Sequence, residues 1–148
     1  CSMIPEFGSV GTLPPGVHWA SWPEIVDRFG GTAYRQGLLE GLKRALDVLR
    51  IAGCRTVYLD GSFVTDTVVP NDFDACWVID GVMPELLDAE LLDFSNGRQA
   101  QKLRYGGELL AISSRQIAST QSLLTFFQTI RDTGTAKGII AIDLRTLP

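Results

Sequence analysis

Histidine, cysteine and long apolar runs are scarce in this chain, and each scarcity excludes a class of protein. The 148 residues include one histidine and three cysteines, with no Cys-x-x-Cys pair, which excludes a histidine-rich or cysteine-rich zinc site. No apolar run approaches the roughly 18–20 residues that span a bilayer, and no charged-then-apolar leader opens the chain. We therefore expect a cytoplasmic protein without a membrane partner, and we expect Cys54 and Cys76 to be reduced core thiols.

Cationic residues are also in the minority. Lysine and arginine number 13 against 17 aspartates and glutamates, for a net charge of −4 at pH 7. This balance argues against a broad basic face that coats nucleic acid, but it leaves room for a small basic pocket. The hydrophobic content of 45% and the charged content of 20% are typical of an ordinary globular domain.

We divide the chain into an N-terminal arm at residues 1–20 and a single domain at residues 21–148. Three prolines and three glycines favour an extended, irregular arm, and Cys1-Ser2 reads as a remnant of cloning ahead of a natural start at Met3. We expect Trp19 and Trp22 to anchor the arm, because indole rings bury large areas. A base-stacking platform is the alternative for these two rings.

Two helices are predicted after the arm. A short one runs from a Ser21 cap to Phe29 and carries a Ser-x-x-Glu capping box, and a longer one runs from a Thr32 cap to about Ala52. The leucines of the longer helix recur at the spacing of one apolar face. A second stripe consists of small residues four apart: Gly37, Gly41 and Ala45. It would let another backbone come close, either within the chain or from a partner.

Five further elements are predicted towards the C-terminus. They are a helical stretch from Pro84 through Leu92, a helix capped by Ser95 or Asn96, a strand from Glu108 to Ile112, an amphipathic helix from Thr120 to Ile130, and a closing strand, GIIAIDL.

The segment VYLDGSFVTDTVVPNDFDACWV carries the strongest chemical signal. It reads as an apolar strand, a turn at Gly61-Ser62, a nine-residue connection and a second strand that opens with Asp72-x-Asp74. Residues two apart in an extended chain share a face about 6–7 Å apart, so both carboxylates aim at one spot. Such a pair suits Mg²⁺ or Mn²⁺ together with phosphate oxygens, and the turn can cradle phosphate. The segment predicts a nucleoside triphosphate site; solvated aspartates beside an ordinary turn are the alternative.

On these residues the chain resembles the DNA polymerase β-like nucleotidyltransferase superfamily, whose signature is a strand ending in Gly-Ser followed by Asp-x-Asp on the next strand. It also resembles a small bacterial branch of that superfamily, a nucleotidyltransferase-like family of unknown function. The stretches that carry this closer resemblance are LPPGVHW, VYLDGSFVT, DFDACW, DFSNGRQAQK, GGEL and KGIIAIDL. The resemblance implies an α/β (α+β) fold like the polymerase β palm, with a mixed β-sheet flanked by helices.

The resemblance also implies an activity and its partners. A Mg²⁺-dependent (or Mn²⁺-dependent) enzyme would transfer a nucleoside monophosphate, AMP from ATP being favoured, to an acceptor. Some minimal members of the superfamily modify a toxin, so a protein partner in a toxin–antitoxin or defence system is the first candidate acceptor. An RNA end or a small molecule is the second candidate. A module that binds a nucleotide or a partner without turnover is the non-enzymatic alternative.

A third carboxylate completes the metal site in proteins that this sequence resembles. Glu108 is the first candidate because it opens an apolar strand, and Asp143, near the end of the closing strand, is the alternative. Arg98 and Lys102 are four apart on one helix face, where they can meet nucleotide phosphates or serve as ordinary surface charges. Asp60, just before the glycine turn, is expected to be structural.

Overall fold

A computed structural model of the chain describes residues 4–8, 11–14, 16–67, 69–70, 73–115 and 138–148. Within them the strands and α-helices are, in chain order, β1 (Val17–Trp19), α1 (Trp22–Phe29), α2 (Ala33–Ile51), β2 (Thr56–Asp60), β3 (Phe73–Val78), α3 (Ser95–Tyr105), β4 (Gly107–Ile112) and β5 (Ile139–Asp143). The predicted helix from Thr120 to Ile130 lies outside the described residues.

The strands form one mixed sheet in the order β1-β5-β2-β3-β4. The β1–β5 and β3–β4 pairs are parallel, whereas β2 is antiparallel to both of its neighbours, β5 and β3. The prediction of a mixed sheet accompanied by helices is therefore confirmed. None of the helices in the described part of the chain combines the length and the apolar character that a membrane span requires.

One face of the sheet packs against the helices. Alternate strand residues such as Val57, Leu59 and Ala75 share a buried cluster with the leucines of α2 and with Tyr105 of α3. The predicted leucine stripe is thus confirmed as the buried side of α2. The opposite face carries a smaller cluster, whose members among the described residues all belong to strands: Tyr58, Cys76, Ile112, Ile139 and Ala141, with Val17, Val78 and Leu110 beside them.

The helix boundaries follow the predicted caps. Ser21 and Glu24 form the capping box of α1, with each side chain bonded to the other residue's backbone amide. The Thr32 hydroxyl accepts from the amide of Arg35 at 3.1 Å and caps α2. Gly53 follows the helix with φ of +103°, a conformation that favours glycine.

The small-residue stripe of α2 makes a close contact within the chain, at one position. A methyl group at Gly41 would overlap the backbone carbonyl of Tyr105, so α2 and α3 approach each other closely there. A methyl group at Gly37 would meet nothing within 4 Å. Only the middle of the predicted stripe therefore needs glycine for packing.

The N-terminal arm is more ordered than the sequence predicted. Its Val17–Trp19 segment joins the sheet as an edge strand beside β5, and the Arg28 guanidinium donates to the carbonyls of Ile4 and Pro5 at 2.7 and 2.6 Å. Trp22 is buried, which supports the predicted anchor, whereas Trp19 remains 52% exposed with one edge against Tyr58. Backbone pairing thus holds the end of the arm more than its tryptophans do.

The predicted helical stretch from Pro84 through Leu92 forms two separate 3-10 turns instead, Pro84–Leu86 and Ala89–Leu92. Leu87 and Asp88 between them are extended. The Tyr105 hydroxyl donates to the Asp88 carboxylate at 2.5 Å. Tertiary contacts to α3 therefore divide this segment, and a prediction from local pattern alone was wrong here.

Candidate functional site

Three acidic residues lie side by side across the middle of the sheet. Asp60, the last residue of β2, is the register partner of Asp74 in β3, and Asp74 is the register partner of Glu108 in β4. Adjacent strands lie about 4.8 Å apart. We call Asp60, Asp74 and Glu108 the acidic row, and the end of the sheet where they lie the acidic end.

All three side chains of the acidic row project from the face opposite the helices. Each has a chain neighbour in the helix-facing cluster, namely Leu59, Ala75 and Leu109. Since side chains alternate along a strand, the acids face the other way. Asp60 is buried, and the Glu108 side chain is 18% exposed. The row therefore presents hard oxygen ligands on one surface, partly shielded from water.

The predicted glycine turn lies against the acidic row. Gly61 has φ of +82°, and a methyl group there would lie 3.1 Å from the Cγ atom of Asp74, in overlap with its carboxylate. Only glycine lets the turn come this close. The turn continues into a short 3-10 helix at Ser62–Val64. Asp72 lies outside the described residues, as does the side chain of Ser62, so their predicted roles stay predictions.

Both predicted cations reach the acidic row. The Lys102 Nζ atom lies 3.1 Å from one carboxylate oxygen of Glu108, and an Arg98 terminal nitrogen lies 3.6 Å from the other. The Nε atom of Arg98 is buried and has no hydrogen-bond partner within the described part of the chain. Glu108 is therefore flanked by two cations, which partly neutralise it.

An irregular start to α3 positions these cations. Ser95 is held by the Asp93 carboxylate, which accepts from its amide and its hydroxyl, and these bonds lower the pKa of Asp93. Phe94 occupies the cap position that was predicted for Ser95 or Asn96. Asn96, Gly97 and Arg98 then adopt left-handed backbone angles, which Asn and Gly tolerate but Arg rarely does. Arg98 and Lys102 thus do not stand on one regular helix.

Asp143, the alternative third acid, lies at the other end of the sheet. It is the register partner of Thr56, four residues or about 13 Å along β2 from Asp60. The Arg145 side chain donates to both of its carboxylate oxygens at 2.9–3.0 Å. This pairing, with a smaller contribution from Arg55, lowers the pKa of Asp143. The structure brings Glu108 to Asp74 and does not bring Asp143 there.

A buried arginine that the sequence analysis overlooked holds the loop beyond the glycine turn. Arg35 of α2 is 5% exposed and donates to the carbonyls of Phe63, Thr65 and Thr67 at 2.6–2.8 Å. Burial lowers the pKa of Arg35, and the charge of Asp66 partly offsets that effect. A signal did exist, because Arg35 stands four residues before Leu39 and so continues the apolar stripe of α2.

Asp60 was expected to be structural because its side chain was predicted to point away from the face of Ser62. The structure places its side chain on the same face as those of Asp74 and Glu108, while the side chain of Ser62 lies outside the described part. Asp60 therefore joins the candidate site as an additional buried carboxylate.

The donor set of the acidic row fits a hard divalent cation. Mg²⁺ takes one or two protein carboxylates and completes its shell with waters and phosphate oxygens, and Asp74 and Glu108 offer two carboxylates from neighbouring strands. Within the described residues, no three acidic, histidine or cysteine side chains cluster tightly enough to hold a metal. Asp72, the other half of the predicted pair, is not among those residues.

The chain belongs to a family whose members have no assigned role. Residues 5–143 match the family of unknown function DUF6932. No curated protein and no solved structure matches the chain. The matched residues include both ends of the sheet, but the family description names no chemistry for either end.

Proposed function

We propose that this protein is a Mg²⁺-dependent nucleotidyltransferase of the polymerase β palm-like class. The observation that carries the proposal is the alignment of Asp74 with Glu108 on one face of the sheet, with the Gly61 turn packed against the Asp74 carboxylate. Acids from two neighbouring strands beside a glycine turn suit a nucleotide whose phosphates lie between the turn and a cation.

Each predicted site residue has a role in the proposed reaction. Asp72, Asp74 and Glu108 would hold the cation, which when bound supplies charge neutralisation for the phosphates and activation of the acceptor oxygen. The backbone of Gly61-Ser62 would cradle the triphosphate, and Arg98 and Lys102 would neutralise its charge. The acceptor hydroxyl passes its proton to a carboxylate of the acidic row or to water, and its oxygen attacks the α-phosphorus. The bond between the α-phosphorus and the oxygen that bridges to the β-phosphorus breaks, and pyrophosphate leaves.

The donor in this proposal is ATP, and the acceptor is a side chain of a partner protein. A toxin encoded with its antitoxin, or another component of a defence system, fits this scheme. The proposal includes a cytoplasmic location, where ATP is available to the enzyme. An RNA end or a small molecule would use the same donor chemistry, with the acceptor hydroxyl at the same carboxylates.

One observation favours a second candidate, a module that binds a nucleotide or a partner without turnover. Glu108 is already flanked by Arg98 and Lys102 at 3.6 and 3.1 Å. A carboxylate in two ion pairs has to give them up, at least in part, before it serves a metal. In a binding module the two cations would contact the phosphates, and Glu108 would only orient the cations.

Incubation with Mg²⁺ and ATP labelled at the α-phosphate tests these candidates. The full chain is mixed with the product of the neighbouring gene or with total RNA, and the label is then located. Label on the protein partner supports the leading proposal, and label on RNA supports the alternative acceptor. Nucleotide binding without any label transfer supports the non-catalytic module, whereas no binding and no transfer would reject all three.

Matched variants identify the third carboxylate. Glu108→Gln should abolish label transfer and Asp143→Asn should leave it intact, because the two residues lie at opposite ends of the sheet. The opposite result would move the third acid to Asp143. The affinity for ATP without metal, measured in parallel, separates loss of chemistry from loss of binding.

A further inference from the structure

A second cleft lies at the end of the sheet opposite the acidic row. It forms where β2 begins and β3 ends, next to the C-terminal end of α2, and encloses about 660 Å³. That volume falls within the range of about 300–1,000 Å³ typical of small-molecule sites. Its chemically distinctive lining residues are Arg50, Gly53, Cys54, Arg55, Asp80 and Arg145.

Positive charge dominates the lining of this cleft, with three arginines against one aspartate. Its three arginines come from different segments: Arg50 from the last turn of α2, Arg55 from the loop before β2, and Arg145 from the turn after β5. Among the residues that the structure describes, Arg50 and Arg55 form no ion pair. Arg50 donates one bond to the Leu147 carbonyl at 3.3 Å, which leaves its other nitrogens for a ligand.

The two nearby carboxylates already have partners. The Asp80 carboxylate accepts from the amide and the hydroxyl of Ser114 at 3.0 and 2.5 Å, and Asp143 is paired with Arg145. The Cys54 thiol donates to backbone carbonyls, and burial raises its pKa to about 11, so it adds no negative charge at neutral pH. Within the described residues, neither carboxylate forms an ion pair with Arg50 or Arg55, although Asp80 keeps its charge and Arg55 acts weakly on Asp143.

We propose that this arginine cleft is a second binding site, for a small molecule that carries phosphate groups. Guanidinium groups pair bidentately with phosphate oxygens, and several of them can surround one anion. Gly53 and Gly81 both line the cleft. Their backbones pack closely against each other, since a Cβ atom at Gly53 would lie 2.8 Å from the Gly81 carbonyl oxygen. A mononucleotide-sized phosphate ester matches the volume of the cleft.

This site is independent of the proposed transfer reaction. It lies about 13 Å along β2 from the acidic row and contains none of the residues assigned to the donor nucleotide. A phosphate ligand here would bind without a divalent cation, because arginines supply the positive charge. The site would therefore remain even if the protein transferred no nucleotide.

Calorimetric titration of the full chain with inorganic pyrophosphate in EDTA tests the proposal. We expect saturable binding at one site and an affinity at least about tenfold weaker in the Arg50→Ala/Arg55→Ala double variant, because two guanidiniums are lost. ADP and orthophosphate, titrated separately, then define how many phosphates are recognised. Thermal unfolding of each variant checks that the fold is intact.

Two control variants separate this cleft from general charge effects. Arg44→Ala and Lys43→Ala each remove one cation from the same helix at positions that do not line the cleft. Both should keep pyrophosphate binding within about twofold of the unmodified protein. Absence of saturable binding, equal weakening by either control, or preference for an acidic peptide or citrate over pyrophosphate would each overturn the proposal. Asp74→Asn, which should abolish nucleotidyl transfer, should leave this binding unchanged.

Discussion

The two ends of the sheet carry clusters of side chains with opposite charge. At the acidic end, Asp60, Asp74 and Glu108 stand on three adjacent strands beside a glycine turn. At the other end, about 13 Å away along β2, arginines from a helix, a loop and a turn surround a cleft. A net charge of −4 conceals this separation. Local charge therefore indicates which ligand each end suits.

The acidic end also differs in how it is supported. Its glycine turn leads into a loop whose carbonyls are held by the buried Arg35, whereas the guanidiniums of the opposite cleft lie at the surface. A group that is held by buried hydrogen bonds is already positioned before its ligand binds. The acidic end thus suits chemistry that needs fixed geometry, and the arginine cleft suits capture of an anion.

The largest expected effect is the loss of transfer on removal of one acidic charge. Asp74→Asn should reduce nucleotidyl transfer by about 10³-fold or more, because an amide is a poor ligand for a hard cation at that position. Measurement of label transfer from ATP checks this. Asp47→Asn, a surface change in α2, should retain full activity. A folded Asp74→Asn protein with full activity would remove the acidic end from the mechanism.

Loss of the buried arginine should destabilise the acidic end strongly. Arg35→Met should lower the free energy of unfolding by about 3 kcal/mol or more, because it leaves the buried carbonyls of Phe63 and Thr65 without a donor. Urea denaturation measures this change. Arg44→Ala on the same helix is exposed and should shift stability by no more than about 0.5 kcal/mol. Equal effects would mean that Arg35 does not hold the loop.

Substitution of the turn glycine should have the next largest effect on stability at the acidic end. Gly61→Ala should cost about 2 kcal/mol of stability, since φ is +82° and the added methyl group would overlap the Asp74 carboxylate. Gly37→Ala is the matched control. The methyl group added at Gly37 would meet nothing within 4 Å, and alanine favours a helix more than glycine does. This substitution should therefore stabilise the protein by about 0.5–1 kcal/mol. Thermal unfolding of both variants distinguishes a required glycine from a tolerated one.

At the arginine cleft the smallest effect concerns Cys54, whose pKa is raised to about 11 by burial. The folded protein keeps the thiol neutral while the unfolded chain ionises it from about pH 9, so stability is lost as pH rises between these values. Between pH 7 and pH 10 the loss attributable to Cys54 should be about 1.4 kcal/mol. The free energy of unfolding of the Cys54→Ala protein, measured with denaturant at each pH, should not show this loss. If the variant and the unmodified protein had the same pH dependence, the raised pKa of Cys54 would be wrong.

Patterns that depend on near neighbours in the chain predicted the local structure well. The caps at Ser21 and Thr32 begin their helices as expected, because a cap bonds to amides only two or three residues away. The closeness of Gly61 to Asp74 was also predictable, since β2 and β3 are consecutive strands. The extended break at Asp88 was not, because a hydroxyl 17 residues away holds its carboxylate.

By itself, the sequence determined the caps of α1 and α2, the apolar face of α2, the glycine turn and the position of Asp74 near the start of β3, since each depends on local spacing and side-chain chemistry. Only the tertiary structure decided that Glu108 rather than Asp143 stands beside Asp74. It also decided that Asp60 joins that row and that three arginines meet at the far end. Strand register between distant segments is set by packing of the whole sheet, and no local pattern specifies it.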